Sequence, residues 1–197
     1  MHAHTNEAFQ HATNEEMATL SRGRWYRTRT IAYWIFTVLL VFELVAGSVW
    51  NLSQIEWVHI QLNHLGYPLY FAYILGVWQI GGAAAIIAPR LPRVKEWAYA
   101  GSFFEFSGAV ASHLLAGDGA AAWRVPLVYA AIVIVSWALR PADRCLSNAE
   151  PAPETHPVAW AVPIAILLLL YVVAYLTLPA VNISMHKRAV DLGWIAR

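Results

Sequence analysis

Residues 158–181 (VAWAVPIAILLLLYVVAYLTLPAV) run without a single charged side chain, and four other blocks come close to that pattern. Residues 31–50 carry one formal charge, Glu43; residues 67–88 carry none; residues 97–116 carry Glu105; residues 120–139 carry Arg124 near their start. A helix rises about 1.5 Å per residue, so some twenty residues match the roughly 30 Å hydrocarbon core of a bilayer. Each block is expected to cross as a helix, because an open sheet edge finds no hydrogen-bond partners in lipid. Charged residues are only 13% of the 197, about half the share usual in soluble domains. A disordered chain is excluded by this composition, and a net charge of +1 excludes a nucleic-acid binder that works through a broad basic surface. A single cysteine, Cys145, leaves no intrachain disulfide and no cysteine-rich metal centre.

The predicted fold is therefore all-α: a polytopic membrane protein with a four-helix transmembrane bundle plus a fifth transmembrane helix. Residues 1–30 read as a polar tail whose His2, His4 and His11 are too loosely spaced to define a metal site. Residues 31–141 hold four spans, 142–157 a Pro-rich linker, 158–181 the fifth span and 182–197 a C-terminal tail. Arg22, Arg24, Arg27 and Arg29 precede span one, Arg90, Arg93 and Lys95 follow span two, and Arg140 and Arg144 follow span four. The loop 51–66 has no Lys or Arg, so the basic loops alternate and the N-terminus is expected in the cytoplasm. Trp25, Tyr26, Trp50, Trp57, Tyr67, Trp97, Tyr99 and Trp123 near the span ends read as interfacial anchors. Residues 51–66 are expected to form a short helix on the outer surface or a lid between the spans.

Ionisable groups inside hydrocarbon cost several kcal/mol unless they are partnered or wet. With about 1.5 Å per residue, Glu43 lies about 18 Å from the cytoplasmic side, Glu105 about 12 Å and His113 about 24 Å, with Gln79 near the depth of Glu105. Glu105, Gly108, Ser112 and His113 share one broad helix side, and Glu43 with Gly47 another. A shared interior site follows if the three helices adjoin. Glu43, Glu105 and His113 are then candidate catalytic groups for proton transfer beside an apolar ligand, with Gln79, Tyr67 and Ser112 as candidate binding residues. His64 and His113 are the candidate ligands of a divalent metal, in an alternative reading as a metal-dependent hydrolase or isomerase. A further alternative assigns the glutamates to helix–helix hydrogen bonds, leaving a non-catalytic scaffold or small-molecule carrier. No GxxxxGK[ST], HExxH, GxGxxG or GxSxG pattern occurs in the sequence.

The run 63–119 adds a resemblance. His64-Leu65-Gly66-Tyr67-Pro68, then Gly76 and Gln79, then Ala98-Tyr99, Gly108-Ala109 and Ser112-His113 resemble the DoxX-like family of small bacterial membrane proteins. With Glu43 and the fourth span, the likeness covers roughly residues 30–141. It implies a four-helix bundle in the bacterial cytoplasmic (inner) membrane. It also implies membrane-associated redox work with a quinone, alone or beside a redox partner subunit. The fifth span departs from the family's compact form and is a candidate seam for a homo-oligomer. No paired cysteines offer an electron relay, so a quinone or a bound metal would have to supply one.

Overall fold

The computed structural model describes residues 2–141 and 158–196, with side chains from Arg24 onward. Cys145 and the linker 142–157 lie outside the described residues. Within them the chain is all-helical: α1 (His2–Leu52), α2 (Glu56–Leu65), α3 (Tyr70–Ile87), α4 (Pro92–Leu115), α5 (Ala120–Ala138), α6 (Val158–Leu176) and α7 (Leu178–Asp191). The N-terminal polar segment is helical and continuous with the first span. Between His2 and Arg22 it contains neither Gly nor Pro to interrupt a run of good helix formers.

Among the described residues four helices are long and apolar enough to cross a membrane: Arg24–Leu52 within α1, then α3, α5 and α6. The remaining expected span corresponds to α4, which has the length but not the composition. Ser102, Glu105, Ser107, Ser112 and His113 dilute its apolar content. The last span also ends sooner than expected. The Thr177 hydroxyl donates to Val173 O and Ala174 O at 2.9 Å, and α7 begins at once with Leu178 and Pro179. Residues assigned to a tail thus form a helix that returns to pack on α2.

The core is a ring in which α1 meets α3, α3 meets α4, α4 meets α5 and α5 meets α1. Helix α6 lies outside the ring against α1 and α3, and the α2–α7 pair covers one end. Between helices in lipid there is little hydrophobic drive, so close approach and interhelical hydrogen bonds carry more of the association. Both are present. The Ser48 hydroxyl donates to Gly76 O at 2.7 Å, and a Cβ on Gly76 would meet Leu52 of α1 at 2.7 Å. On α4, by contrast, a Cβ on Gly101 or Gly108 would meet nothing within 4 Å.

Inside the ring, the end near Lys95 and Arg140 is filled by side chains; a smaller cavity of about 280 Å³ at this end lies outside the ring, between α1, the end of α3 and α6. Leu40, Val41, Leu44, Ile86, Tyr99 and Val133 share one buried cluster. The Ser136 hydroxyl joins Thr37 and Tyr99, each at 2.9 Å, and so ties α5 to α1 and α4. The Lys95 ammonium is fully buried and donates to Ala85 O, Ile86 O and Ala88 O, the last carbonyls of α3. Arg140 pairs with Glu96 at 2.7 Å. Burial pushes the Glu96 carboxyl up, but hydrogen bonds from Trp137 and Arg140 and the Arg140 charge hold it below the usual carboxylate range. Trp25 and Trp97 stand out from the surface, as anchors should. Trp57 and Tyr99 do not: both are buried and belong to the packing of the protein itself.

Candidate functional site

The opposite half of the ring is hollow. A cavity of about 460 Å³ lies between α1, α3, α4 and α5 and is roofed by α2 and the residues after α7. Glu43, Gln79, Glu105, Ser112, His113 and Tyr67 all contribute to its wall. Its remaining lining is mostly apolar, with the rings of Trp50, Trp57, Phe71, Phe104, Tyr129 and Trp194 set among aliphatic side chains. The helical repeat accounts for the convergence. Glu105, Gly108, Ser112 and His113 recur on one side of α4, and Trp57, Val58, Gln61, Leu62 and Leu65 form the underside of α2.

At the inner end, amide and carboxyl groups form a short chain. The Asn51 amide donates to Gln79 Oε1 at 3.0 Å, and the Gln79 amide donates to Glu105 Oε1 at 2.6 Å. Gly47 makes room for this, since a Cβ there would sit 2.7 Å from Gln79 Nε2. The Tyr129 hydroxyl lies beside the Glu43 carboxyl, and the two glutamates are within electrostatic reach of each other. Both carboxyls therefore have a neutral hydrogen-bond donor beside them and an aromatic cavity in front.

At the outer end the organiser is Asp118, in the loop between α4 and α5. His113 Nδ1 donates to Asp118 Oδ2 at 2.8 Å, His64 Nε2 to Oδ1 at 2.9 Å and the Trp194 indole to Oδ1 at 3.1 Å. Burial pushes the Asp118 carboxyl up, but these hydrogen bonds and the His64 charge hold it below the usual carboxylate range. With Nδ1 committed to Asp118, His113 Nε2 keeps its lone pair and faces the Gln61 amide nitrogen at 3.4 Å. An acid that orients one ring nitrogen while the other faces a cavity is the arrangement of a general base. Trp194 stacks on His64 at 4.6 Å, on Trp57 at 5.2 Å and on His113 at 5.6 Å.

Backbone turns place the two residues that the composition does not single out. After α4, Gly117 adopts φ +79°, and Asp118 N–H returns to His113 O at 3.0 Å. After α7, Gly193 adopts φ +75°, and Trp194 N–H returns to Ala189 O at 3.0 Å. In both, a left-handed glycine ends the helix and the next residue is folded back over the last turn. Asp118 therefore meets the ring of His113, five residues earlier. The signal available in the sequence was a lone acid between two glycines, Gly117-Asp118-Gly119, directly after a histidine-bearing span.

The candidate metal pair departs from expectation. His64 does not line the cavity; it sits behind His113 and shares the Asp118 carboxylate with it. Among the described residues no group of three His, Cys, Asp or Glu side chains is placed to hold a metal ion.

The family model of the DoxX-like family matches residues 35–136, which run from the first span through α5. The chain belongs to the DoxX-like family. Comparison with curated proteins and with solved structures gives no match. The matched region ends before α6 and α7, so Trp194 comes from outside the stretch that the DoxX-like family model covers.

Proposed function

We propose that this DoxX-like protein is a multi-pass protein of the bacterial inner membrane that holds a small, flat, apolar ligand of the quinone class and exchanges protons with it. In this reading the N-terminus is cytoplasmic, α4 crosses with the other four long helices, and electrons arrive from a redox partner subunit. The observation that carries it is His113: its Nδ1 is fixed by Asp118 and its Nε2 is presented to an aromatic cavity that also holds Glu43 and Glu105.

The residues suit such a ligand. A volume of about 460 Å³ falls in the range of small-molecule pockets, and aromatic walls favour a flat ring. A quinone supplies carbonyl oxygens that gain protons when the ring is reduced. The chain's own part is to place donors and acceptors at two levels. His113 Nε2 and the Gln61 amide stand at the outer level, and Glu105, Gln79 and Glu43 at the inner one. The His113–Asp118 pair holds or releases a proton at Nε2 without moving the ring. Glu105, held by Gln79, does the same at its carboxyl oxygen.

Equilibrium binding of a short-chain benzoquinone to the purified protein in nanodiscs tests the reading. Wild type is expected to bind saturably, one ligand per chain. His113→Gln and Glu105→Gln are each expected to weaken binding about tenfold, the worth of one hydrogen bond to a charged or strongly polar group. Absence of saturable binding by the wild type, or affinity unmoved in both variants, overturns it.

A further inference from the structure

We propose that ligands enter the cavity sideways from the bilayer, through a window between α3 and α4 centred on Gly108. This rests on the reading of the cavity as a binding site and adds its route and the class of ligand: molecules dissolved in the membrane rather than in water.

Two hydrogen bonds to α4, one from the turn before α3 and one from α3 itself, frame the window. At its outer edge the Tyr67 hydroxyl and the Ser112 hydroxyl meet at 2.8 Å. At its inner edge the Gln79 amide reaches Glu105 at 2.6 Å. Ser112 and Glu105 are seven residues apart on α4, which sets the frame about 10 Å tall. Inside the frame α4 offers Gly108 and Ala109, and α3 offers Phe71 and Leu75. A Cβ placed on Gly108 would meet nothing within 4 Å. Phe104 and Tyr67 line the cavity yet are 70% and 37% exposed, so their rings belong to the inside and the outside at once. A wall built of such residues is an opening.

The aqueous end is built differently. Trp194 is stacked against Trp57, His64 and His113 and pinned to Asp118 through its indole N–H. Arg188 holds the end of α7 to the start of α5 through Ala121 O at 3.0 Å. Opening that roof breaks several hydrogen bonds and ring stacks together, whereas between its two edges the window is lined by Gly108, Ala109, Phe71 and Leu75.

The test uses a lipophilic azidoquinone in nanodiscs, photolysed at timed intervals, with the label located by peptide mass spectrometry. Wild type is expected to label peptides that line the cavity. Gly108→Trp should slow that labelling about tenfold or more, whereas Gly101→Trp should label at the wild-type rate. Gly101 also faces open space on α4 but does not line the cavity. Gly108→Cys guards against misfolding: a benzyl disulfide formed on the folded protein should block labelling, and a reductant should restore it. A sulfonated, water-soluble azidoquinone should label poorly throughout. Unchanged labelling in the blocked Gly108 variants, with fast labelling by the sulfonated probe, would place entry at the roof and leave the binding reading standing. No labelling of the cavity in wild type would remove the binding reading and the window with it.

Discussion

The two ends of the helix ring treat their polar groups in opposite ways. Near Lys95 the polar side chains are spent on other parts of the protein, Thr37, Tyr99 and Ser136 on one another, Lys95 on three carbonyls and Arg140 on Glu96, with the buried Tyr33 hydroxyl as the exception. Around Glu105 and His113 the polar side chains are hydrogen-bonded to one another and, at the same time, line a cavity. The first arrangement is what stability requires, because a buried polar group without a partner costs more than a made hydrogen bond returns. The second keeps hydrogen-bonding groups, Glu105 among them, in reserve on the wall of a cavity. A protein that needed only to stand in a membrane would gain by filling that space with Leu and Ala.

The contrast predicts where stability resides. Replacing Lys95 with Met keeps the length of the side chain but strips three α3 carbonyls of their donor in a fully buried place. The loss should be about 3 kcal/mol or more, the largest of any single change considered, given roughly 1–3 kcal/mol for each orphaned group. Thermal unfolding in detergent reads it. Ligand affinity of the surviving folded fraction should stay at the wild-type level. If Lys95→Met instead unfolds no earlier than wild type, the solid end is not where the bundle is held.

A smaller effect is expected at the hollow end, and it should depend on pH. Asp118 is held below the usual carboxylate range in the folded protein, so the unfolded chain binds the proton more readily. Its contribution is then complete above about pH 4, the ordinary carboxyl value, and is lost as pH falls through the lower folded value. Asp118→Asn keeps the shape but removes the charge that accepts from His113 and His64. The cost should be about 2 kcal/mol at neutral pH, the worth of a charge-assisted hydrogen bond, and should vanish in strong acid. Unfolding temperatures of both proteins from neutral pH to about pH 3 should converge as the wild type loses this contribution. Parallel curves across that range would mean that Asp118 is not the organiser of the roof.

Much of this was legible before any coordinates. Helical periodicity together with bilayer thickness places Glu43, Gln79, Glu105 and His113 at overlapping depths, and the structure brings them to one cavity. Periodicity, however, speaks only within a helix. Asp118 sits in a loop and Trp194 follows the last helix, so neither belongs to a repeating face. Their positions depend on left-handed turns at Gly117 and Gly193, which composition does not reveal. Trp57 misled for a related reason. An aromatic near a span end is an anchor by default, and only the return of α7 onto α2 makes that position interior. Gly108 shows the converse. Small residues on a helix read as a contact, yet here the partner is missing and the gap itself is the feature.

The finest test of the contrast removes the same atom from each end. Tyr99→Phe deletes a hydroxyl that bonds Ser136 in the solid half. Ser136 keeps Thr37 as its other partner, so nothing is orphaned and the loss should be about 1 kcal/mol. Tyr129→Phe deletes the hydroxyl that stands beside Glu43 in the hollow half. Tyr129 is only partly buried and faces the cavity, where water or ligand can take the vacated place. Its unfolding temperature should therefore move less than that of Tyr99→Phe. Its affinity for the benzoquinone should change, while Tyr99→Phe leaves affinity alone. Thermal unfolding and equilibrium binding on the same two preparations give four numbers. If both variants lose stability equally and neither alters binding, the two ends are packed alike and the reserve of hydrogen-bonding positions at the cavity has no use.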